Sequence, residues 1–301
     1  MSWLNDLMQK FPVRRTKKEK AAFRDYIVAQ TGGNVECVNG NNNVVLGDVK
    51  SARVVFTAHY DTPCTIGMPN LMLPRNKVLF FAYQMVPVFV LLAVAALVGW
   101  LVSLLNSVNS QSTFGIAFLV TYYVLLYLMI NGFSNPHNAN DNTSGVATVL
   151  TLWDGLTKDQ RSDVAIILFD NEEKGKLGSK AYFKAHKDMM EDKLLVNLDC
   201  VGNGDNVLFI AKPKAEQSAE YAALKSGFDA GEWCKVQHFP LKGSEANSDY
   251  KSFPMGVCCL ACKSSKKGIL YTPYIHTPSD VVASEQNVQG IADGFRKYLT
   301  K

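Results

Sequence analysis

The chain has 301 residues, of which 48% are hydrophobic and 19% are charged, and its formal net charge is +4 at pH 7. This length is sufficient for one large α/β domain with a sizeable core. The charge is small and no basic stripe is interleaved with aromatic residues, so we expect no nucleic-acid partner. The seven cysteines show no spacing typical of a disulfide framework, which favours a reducing compartment.

The first eleven residues, MSWLNDLMQKF, place their large apolar side chains on one helical face and lack the apolar core of a signal peptide. Several basic residues follow between positions 14 and 20. We interpret residues 1–15 as an amphipathic segment with two alternative locations. It lies on an anionic membrane surface, or it packs as the first helix of the domain.

The residues that follow alternate between helical and extended patterns. Apolar or β-branched runs of strand length predict strands at Val54–Ala58, Val164–Phe169 and Leu194–Leu198, and two more strands are expected to flank a turn at Asn39–Asn43. Helices are expected near Lys17–Gln30, Thr143–Leu156, Ser179–His186, Ala215–Phe228 and Ser284–Leu299. This alternation predicts an α/β fold with a mixed central sheet and helices on both faces.

A long uncharged stretch interrupts the alternation. There is no Asp, Glu, Lys or Arg from Val78 to Asn140, and Leu79–Leu105 and Phe114–Ile130 are two apolar runs joined by the polar link NSVNSQS. About 20 apolar residues suffice to cross a bilayer. We therefore interpret residues 78–131 as a transmembrane helical hairpin inserted into a domain formed by residues 1–77 and 132–301. A buried hairpin or a dimerisation arm is the alternative.

The charges beside this stretch predict its orientation. Arg75 and Lys77 precede the first apolar run, whereas the polar link carries no positive residue. By the positive-inside rule, the domain outside the membrane is expected in the cytoplasm. A hairpin returns the chain to the side that it left, so its two flanks can contribute to one site. Its apolar surface also offers a contact for a homo-oligomer.

Carboxylates and imidazoles occur just past the predicted strands and in two loops. The motifs are FTAHYDT with His59 and Asp61, NANDNTSG with Asp141, LFDNEEKG with Glu172 and Glu173, VNLDCVG with Asp199, and YIHTPSD with His276. An open α/β sheet places its site at the carboxyl ends of its strands. Two imidazoles with several carboxylates suit zinc, and a shared carboxylate can hold two ions. The pattern indicates a metallohydrolase.

In order, these motifs resemble those of the co-catalytic di-zinc aminopeptidase and glutamate carboxypeptidase family. The likeness consists of H-x-D at 59–61, D-N-x-S-G at 141–145, E-E-x-G-x-x-G-S at 172–179, the aspartate at 199 and H-T-x-x-D at 276–280. It extends over nearly the whole chain except the apolar insertion. The resemblance implies a zinc-exopeptidase-like fold.

The resemblance also implies the ligands of two zinc ions. One zinc would be held by His59, Asp141 and Asp199, and the second by Asp141, Glu173 and His276, so that Asp141 bridges the two. Co²⁺ or Mn²⁺ could take the same ligands.

Further roles follow from the same resemblance. Glu172 would be the general base that activates water and passes the proton to the leaving amine. Asp61 would accept a hydrogen bond from the His59 ring and fix its tautomer. A cis peptide bond is expected after Asp141. In GSEANSDYKSF, Asp249 and Tyr250 are candidates for contacting the substrate or ordering the imidazole at position 276.

The expected protein is a membrane-anchored di-zinc exopeptidase, in the first place an aminopeptidase of short peptides. The alternatives are carboxypeptidase, amidohydrolase or glutaminyl cyclase activity, or a non-catalytic membrane receptor or scaffold. Gly132 and Asp141 are nine residues apart, which places the metal site within about 30 Å of the membrane boundary. The mouth of the active site is therefore expected beside the bilayer, with hydrophobic peptides as substrates.

Overall fold

The structure, a computed structural model, describes residues 2–65, 67–68, 70–105 and 108–300. Its helices are α1 (Trp3–Lys10), α2 (Lys17–Thr31), α3 (Lys77–Ser103), α4 (Ser110–Asn131), α5 (Gly145–Asp154), α6 (Lys158–Ser162), α7 (Leu177–Ala185), α8 (Lys187–Met190), α9 (Pro213–Glu216), α10 (Ala219–Gly227) and α11 (Glu285–Leu299). The strands are β1 (Asn34–Val38), β2 (Asn41–Leu46), β3 (Val54–His59), β4 (Leu71–Met72), β5 (Val164–Phe169), β6 (Leu194–Leu198), β7 (Asn206–Ala211), β8 (Lys235–Pro240), β9 (Gly256–Ser264) and β10 (Leu270–Pro273).

These strands form one mixed sheet. Its order is β1-β2-β5-β3-β6-β9-β10-β4, and β7 and β8 continue from β9 along a second branch. Strands β5, β3 and β6 are adjacent and parallel, whereas β2 joins β5 antiparallel. The carboxyl ends of β3, β5 and β6 therefore meet at one edge of the sheet. The predicted α/β class with a mixed sheet is confirmed.

The strand predictions agree closely with the structure. The strands predicted at Val164–Phe169 and Leu194–Leu198 have those bounds, and the third extends by one residue to His59. The turn expected over Asn39–Asn43 is shorter, because Asn41 already pairs with Val38 in the ladder between β1 and β2. Two residues with positive φ, Asn39 and Gly40, make the connection, as a tight two-residue hairpin turn requires.

Helices cover both faces of the sheet. One face packs against α1, α2, α5, α10 and α11, with Phe23, Trp153 and Phe295 in its core. The other face packs against α7 and the turn at Asp249–Ser252, with Tyr182 and Phe253 in its core. The sheet is thus the middle of three layers, and the loops at the carboxyl ends of its strands can approach one another.

The N-terminal segment is part of this packing. Leu4 and Leu7 in α1 are buried in the core, and the Trp3 indole donates a hydrogen bond to Asp154 in α5 at 2.6 Å. Of the two locations expected for residues 1–15, the structure shows α1 as the first helix of the domain, with its apolar side chains packed against the core.

Helices α3 and α4 pack against each other and leave their outer surfaces uncovered. Both are long and apolar enough to cross a membrane by length and composition. Only Ala95 and Gly99 of α3 are buried, and no buried residue is found among the described side chains of α4. The polar link expected between the helices includes residues 106 and 107, which lie outside the described residues.

The contact between α3 and α4 depends on the absence of a side chain at Gly99. A Cβ atom at Gly99 would lie 3.0 Å from the carbonyl oxygen of Phe114, whereas one at Gly115 meets nothing within 4 Å. Gly99→Leu should force the helices apart at a cost of about 1–3 kcal/mol. Gly115→Leu should leave stability unchanged or slightly higher, because leucine favours a helix more than glycine does.

The measurement is the thermal unfolding midpoint of the detergent-purified protein. Gly99→Leu should lower it by several degrees, with Gly115→Leu as the matched control. Equal midpoints for the two variants would contradict the packing of α3 on α4 at this position.

Candidate active site

The first three predicted zinc ligands converge at the carboxyl edge of the sheet. His59 ends β3 and Asp199 follows β6. Thr57 pairs with Asn197 in the parallel ladder between β3 and β6. His59 and Asp199 each come two residues further along, so they lie side by side. The Nε2 atom of His59 is 3.5 Å from Oδ1 of Asp141 and 3.8 Å from Oδ1 of Asp199.

A second cluster shares Asp141 with the first. The Nε2 atom of His276, in the loop after β10, is 3.2 Å from Oδ2 of Asp141 and 3.5 Å from Oε2 of Glu173. The two carboxylate oxygens of Asp141 therefore face different imidazoles. All five residues named as metal ligands in the sequence are brought together. Three groups of three among the described residues could hold a metal ion: two are those that the resemblance implies, and the third consists of His59, Glu172 and Glu173.

The spacing of these atoms fits zinc. Ligand atoms about 2.0–2.1 Å from a tetrahedral zinc ion lie roughly 3.3 Å from one another, and the distances between the ring nitrogens and the carboxylates are close to this value. In addition, Oε1 of Glu173 is buried without a hydrogen-bond partner among the described residues. A buried carboxylate oxygen of this kind needs a proton or a cation.

The charges of the site also favour bound cations. Burial alone would lower the pKa of His276, but the negative charges of Glu173 and Asp141 outweigh it and raise the pKa to about 10. Burial raises the pKa of Glu173 to about 8, and the charge of Asp141 contributes to that rise. Carboxylates thus outnumber the imidazoles that could balance them. Divalent cations would supply the missing positive charge.

Asp61 contacts other groups than the sequence predicted. The Asp61 carboxylate is 3.7 Å from Nδ1 of His59, whereas the backbone carbonyl oxygen of Asp61 is 3.1 Å from that nitrogen. The Asp61 carboxylate instead accepts the backbone N–H groups of Glu172 and Glu173, at 3.0 and 3.1 Å. The carbonyl therefore holds the imidazole, and the carboxylate holds the loop that carries the two glutamates.

Asp280 holds the loop of Asp141 in the same way as Asp61 holds the loop of the two glutamates. Its two carboxylate oxygens accept the backbone N–H groups of Asn140 and Asp141, both at 2.9 Å. Asp280 is the last residue of the H-T-x-x-D motif, but the sequence reasoning gave it no role. The signal was therefore present in the motif, and its function becomes visible only in the structure.

The loop of Asp141 is also attached to β6 and the residue after Asp199. The side-chain N–H of Asn142 donates to the Leu198 carbonyl at 2.8 Å, and its oxygen accepts the N–H of Cys200 at 3.2 Å. The peptide bond between Asp141 and Asn142 is cis, as the resemblance implied. These contacts fix Asp141 relative to Asp199.

Arg14 is a buried cation that the sequence reasoning missed. It donates to the carbonyl oxygens of Phe11 and Tyr60 and, at 2.9 Å, to the hydroxyl of Thr143. Burial lowers its pKa to about 10, although the charges of Asp61 and Asp141 act in the opposite direction. Arg14 stands in a run of basic residues, and arginine and lysine side chains are mostly exposed, so the sequence carried no signal for this role.

Glu172 is buried next to the ligands without being part of either three-residue group that shares Asp141. Burial raises its pKa well above the usual value, and the negative charges of Glu173 and Asp249 contribute. A carboxyl group with a raised pKa is suited to accept and release a proton. Glu172 thus has the environment expected of a general base.

The two candidates for substrate contact, Asp249 and Tyr250, are both buried but interact with different groups. Asp249 is fully buried, its pKa is raised to about 7 by burial, and it acts on Glu172 through its charge. Tyr250 is also fully buried, and its hydroxyl donates to the Ala246 carbonyl at 2.8 Å. The prediction that Tyr250 contacts the substrate or orders His276 is wrong, because its ring belongs to the hydrophobic core and its hydroxyl is already bonded.

The fold and the site define a zinc metallopeptidase. Residues 129–298, more than half of the chain, match the family profile described as Peptidase family M28. The chain belongs to this family and is a zinc metallopeptidase, as the resemblance in the sequence indicated. No curated protein matches the sequence.

Solved structures with the same fold include three bacterial proteins, each 14% identical in sequence and each matched over 99% of this chain. They are a glutaminyl cyclase from Porphyromonas gingivalis (95% of that chain, TM-score 0.58), a Zn-dependent exopeptidase from Parabacteroides distasonis (94%, 0.55) and the LapA aminopeptidase from Legionella pneumophila (67%, 0.52). At this identity the likeness establishes the fold.

The role of Asp280 can be tested through metal affinity. In Asp280→Asn one of the two carboxylate oxygens becomes an amide nitrogen, so one of the backbone N–H groups at Asn140 and Asp141 loses its acceptor. Loss of a residue that positions a ligand typically weakens metal binding about 10–100-fold. Chelator competition should therefore show weaker zinc binding, with the exposed Asp192→Asn as the matched control. Equal affinity of the two variants would contradict the role.

Proposed function

We propose that this family M28 peptidase is a membrane-anchored di-zinc aminopeptidase. The observation that carries the proposal is the shared carboxylate of Asp141, with one oxygen facing each imidazole. One carboxylate can bind two cations about 3.5–4 Å apart. Two three-residue groups around this carboxylate support a pair of zinc ions rather than a single one.

The roles of the residues follow from this arrangement. His59 and Asp199 would complete one zinc site, and Glu173 and His276 the other, with Asp141 common to both. Bound zinc supplies Lewis acidity toward the scissile carbonyl and makes water acidic enough to deprotonate near neutral pH.

Glu172 would carry out the proton transfers. Its buried carboxylate would take a proton from water as the carbonyl is attacked and deliver it to the amine that leaves. Asp61 holds the backbone N–H groups of Glu172 and Glu173 in place, so the base and the neighbouring ligand keep a fixed relation. The environment that raises the pKa of Glu172 makes its carboxylate a stronger proton acceptor.

The charge of the site favours recognition of an N-terminal amine over a C-terminal carboxylate. Its inner end is acidic, with Asp61 and Glu173 lining the cleft. Two of the basic residues in the cleft lining already donate to protein groups, Arg15 to the Gly132 carbonyl and Lys20 to Asp170. With zinc bound, Glu173 would serve as a ligand, and Asp61 is a lining carboxylate that can pair with an ammonium group. A substrate carboxylate would find Arg15 and Lys20 already engaged, which supports aminopeptidase over carboxypeptidase action.

The surfaces of α3 and α4 support anchoring in a bilayer. At 1.5 Å per residue, helices of 27 and 22 residues extend about 40 and 33 Å, enough for a hydrocarbon core of about 30 Å. Large apolar side chains cover their outer surfaces, including Phe89 and Tyr123. We propose that residues 78–131 form the membrane unit. Arg75 and Lys77 beside α3 support a cytoplasmic location for the rest of the chain.

The activity is tested with purified, zinc-loaded protein and three peptides that differ only at the N-terminus: a free amine, an acetylated amine and an N-terminal glutamine. Release of the N-terminal residue from the peptides with a free amine, and no cleavage of the acetylated peptide, is expected. Glu172→Gln should lower kcat by about 10²–10⁴-fold while the protein keeps about two zinc ions.

Each other result contradicts a different part of the proposal. Cleavage of the acetylated peptide would contradict aminopeptidase specificity. Conversion of the N-terminal glutamine to a pyroglutamyl residue, with loss of ammonia and no cleavage of the peptide chain, would establish a cyclase. A protein that binds no metal and turns over none of the peptides would be a scaffold on this fold.

The topology is tested with a membrane-impermeant maleimide on intact cells and on inverted vesicles. Val108, between α3 and α4, and Cys37 in β1 are both exposed. In a variant with Cys64 and Cys234 replaced by serine, Cys37 should react only in inverted vesicles. The same variant carrying Val108→Cys and Cys37→Ser should react only in intact cells. Labelling of both positions from one side would contradict a spanning hairpin.

A further inference from the structure

The end of the hairpin forms one wall of the active-site cleft. The cleft has a volume of about 1050 Å³. Its lining includes Glu173 and His276 from the metal site and Met129, Asn131 and Gly132 from the end of α4. The reacting centre and the point where the chain leaves α4 therefore share one continuous cavity.

This wall is fixed to the catalytic part of the protein. The N–H of Thr65 donates to the Phe133 carbonyl at 2.8 Å, and Cys64 and Ser134 form an isolated β-bridge. The Arg15 guanidinium donates to the Gly132 carbonyl at 2.7 Å and to the Ser134 hydroxyl at 3.0 Å. The segment after α4 is thus bonded to the N-terminal segment and to the residues that follow the first metal ligands.

An exposed aromatic side chain lies at the rim of this wall. Phe133 stands between two residues of the cleft lining, Gly132 and Ser134, and 80% of its surface is exposed. Its backbone is held by Thr65, so the exposure is not that of a loose chain end. With α4 in the bilayer, Phe133 lies at the depth where the membrane meets water, where aromatic side chains are favourable.

The length of the connection agrees with this placement. Eight residues separate Gly132 from Asp141, so an extended peptide of about the same number of residues can reach from the membrane boundary to the metal site. A peptide held in the bilayer by an apolar segment would also gain effective concentration at the cleft without any additional contact.

We propose that the substrates are amphipathic peptides whose apolar segment lies in the same bilayer and whose free N-terminus enters the cleft past Phe133. This inference rests on the proposed aminopeptidase function and names its substrate class. The free N-terminus reaches the part of the cleft lined by Glu173 and His276, and Phe133 at the rim faces the membrane-held part of the substrate.

The test uses full-length, zinc-loaded protein in phosphatidylcholine vesicles and two substrates with the same six N-terminal residues. One substrate is a soluble peptide, and the other continues into an acyl-modified C-terminus that holds it in the vesicle. The tethered peptide should be cleaved at least about tenfold more efficiently. Its cleavage should require enzyme and substrate in the same vesicle.

Phe133→Ala should lower the ratio of tethered to soluble cleavage by about fivefold or more, as expected when an apolar contact is lost. Phe81→Ala is the matched control, because Phe81 is also an exposed aromatic near the same end of the hairpin but, unlike Phe133, has no chain neighbour in the cleft lining. In Phe81→Ala, the ratio of tethered to soluble cleavage should equal that of the unmodified protein.

Equal cleavage of the two substrates, or cleavage of the tethered peptide in other vesicles at the same rate, would overturn the inference and leave the aminopeptidase intact. An equal effect of Phe133→Ala and Phe81→Ala would overturn entry past Phe133. Failure to cleave either substrate would instead overturn the proposed function on which the inference rests.

Discussion

The convergence of buried carboxylates on two imidazoles is the constraint on which the rest of this structure depends. Asp141, Glu173 and Asp199 would repel one another at this spacing, and each stands on a different loop. Such a group is stable only if cations balance its charge and if the surrounding chain prevents the loops from separating. The fold supplies the second condition through contacts that involve none of the ligand atoms.

Two of those contacts have the same form, in which a carboxylate accepts hydrogen bonds from the backbone. Asp61 and Asp280 each use two carboxylate oxygens to accept two consecutive backbone N–H groups, in one case at the two glutamates and in the other at the shared ligand. Consecutive amides that point to one carboxylate fix the direction of the backbone between them. The side chains that leave this backbone then have few positions available. Rigid placement of this kind is what a metal site requires of its surroundings.

The sequence predicted the parts of the site that depend on strand ends. Val164–Phe169 and Leu194–Leu198 are apolar runs, and the polar residues after them had to meet once the strands were parallel neighbours. Contacts between residues distant in sequence carry no such local pattern. The burial of Arg14 against Thr143 and of Tyr250 in the core depends on how separate elements pack, so periodicity and spacing could not reveal either one.

The insertion of the hairpin between the first ligand and all the others has a consequence for biogenesis. His59 is synthesised before α3 and α4, and Asp141 only after them. On the proposed topology, the two halves of the catalytic domain emerge on the same side only when both helices have crossed the membrane. A chain in which only one of the two helices had crossed would hold His59 and Asp141 on opposite sides of the membrane. On this topology, the metal site can be completed only after the second helix has crossed, so peptide hydrolysis would begin only in the inserted protein.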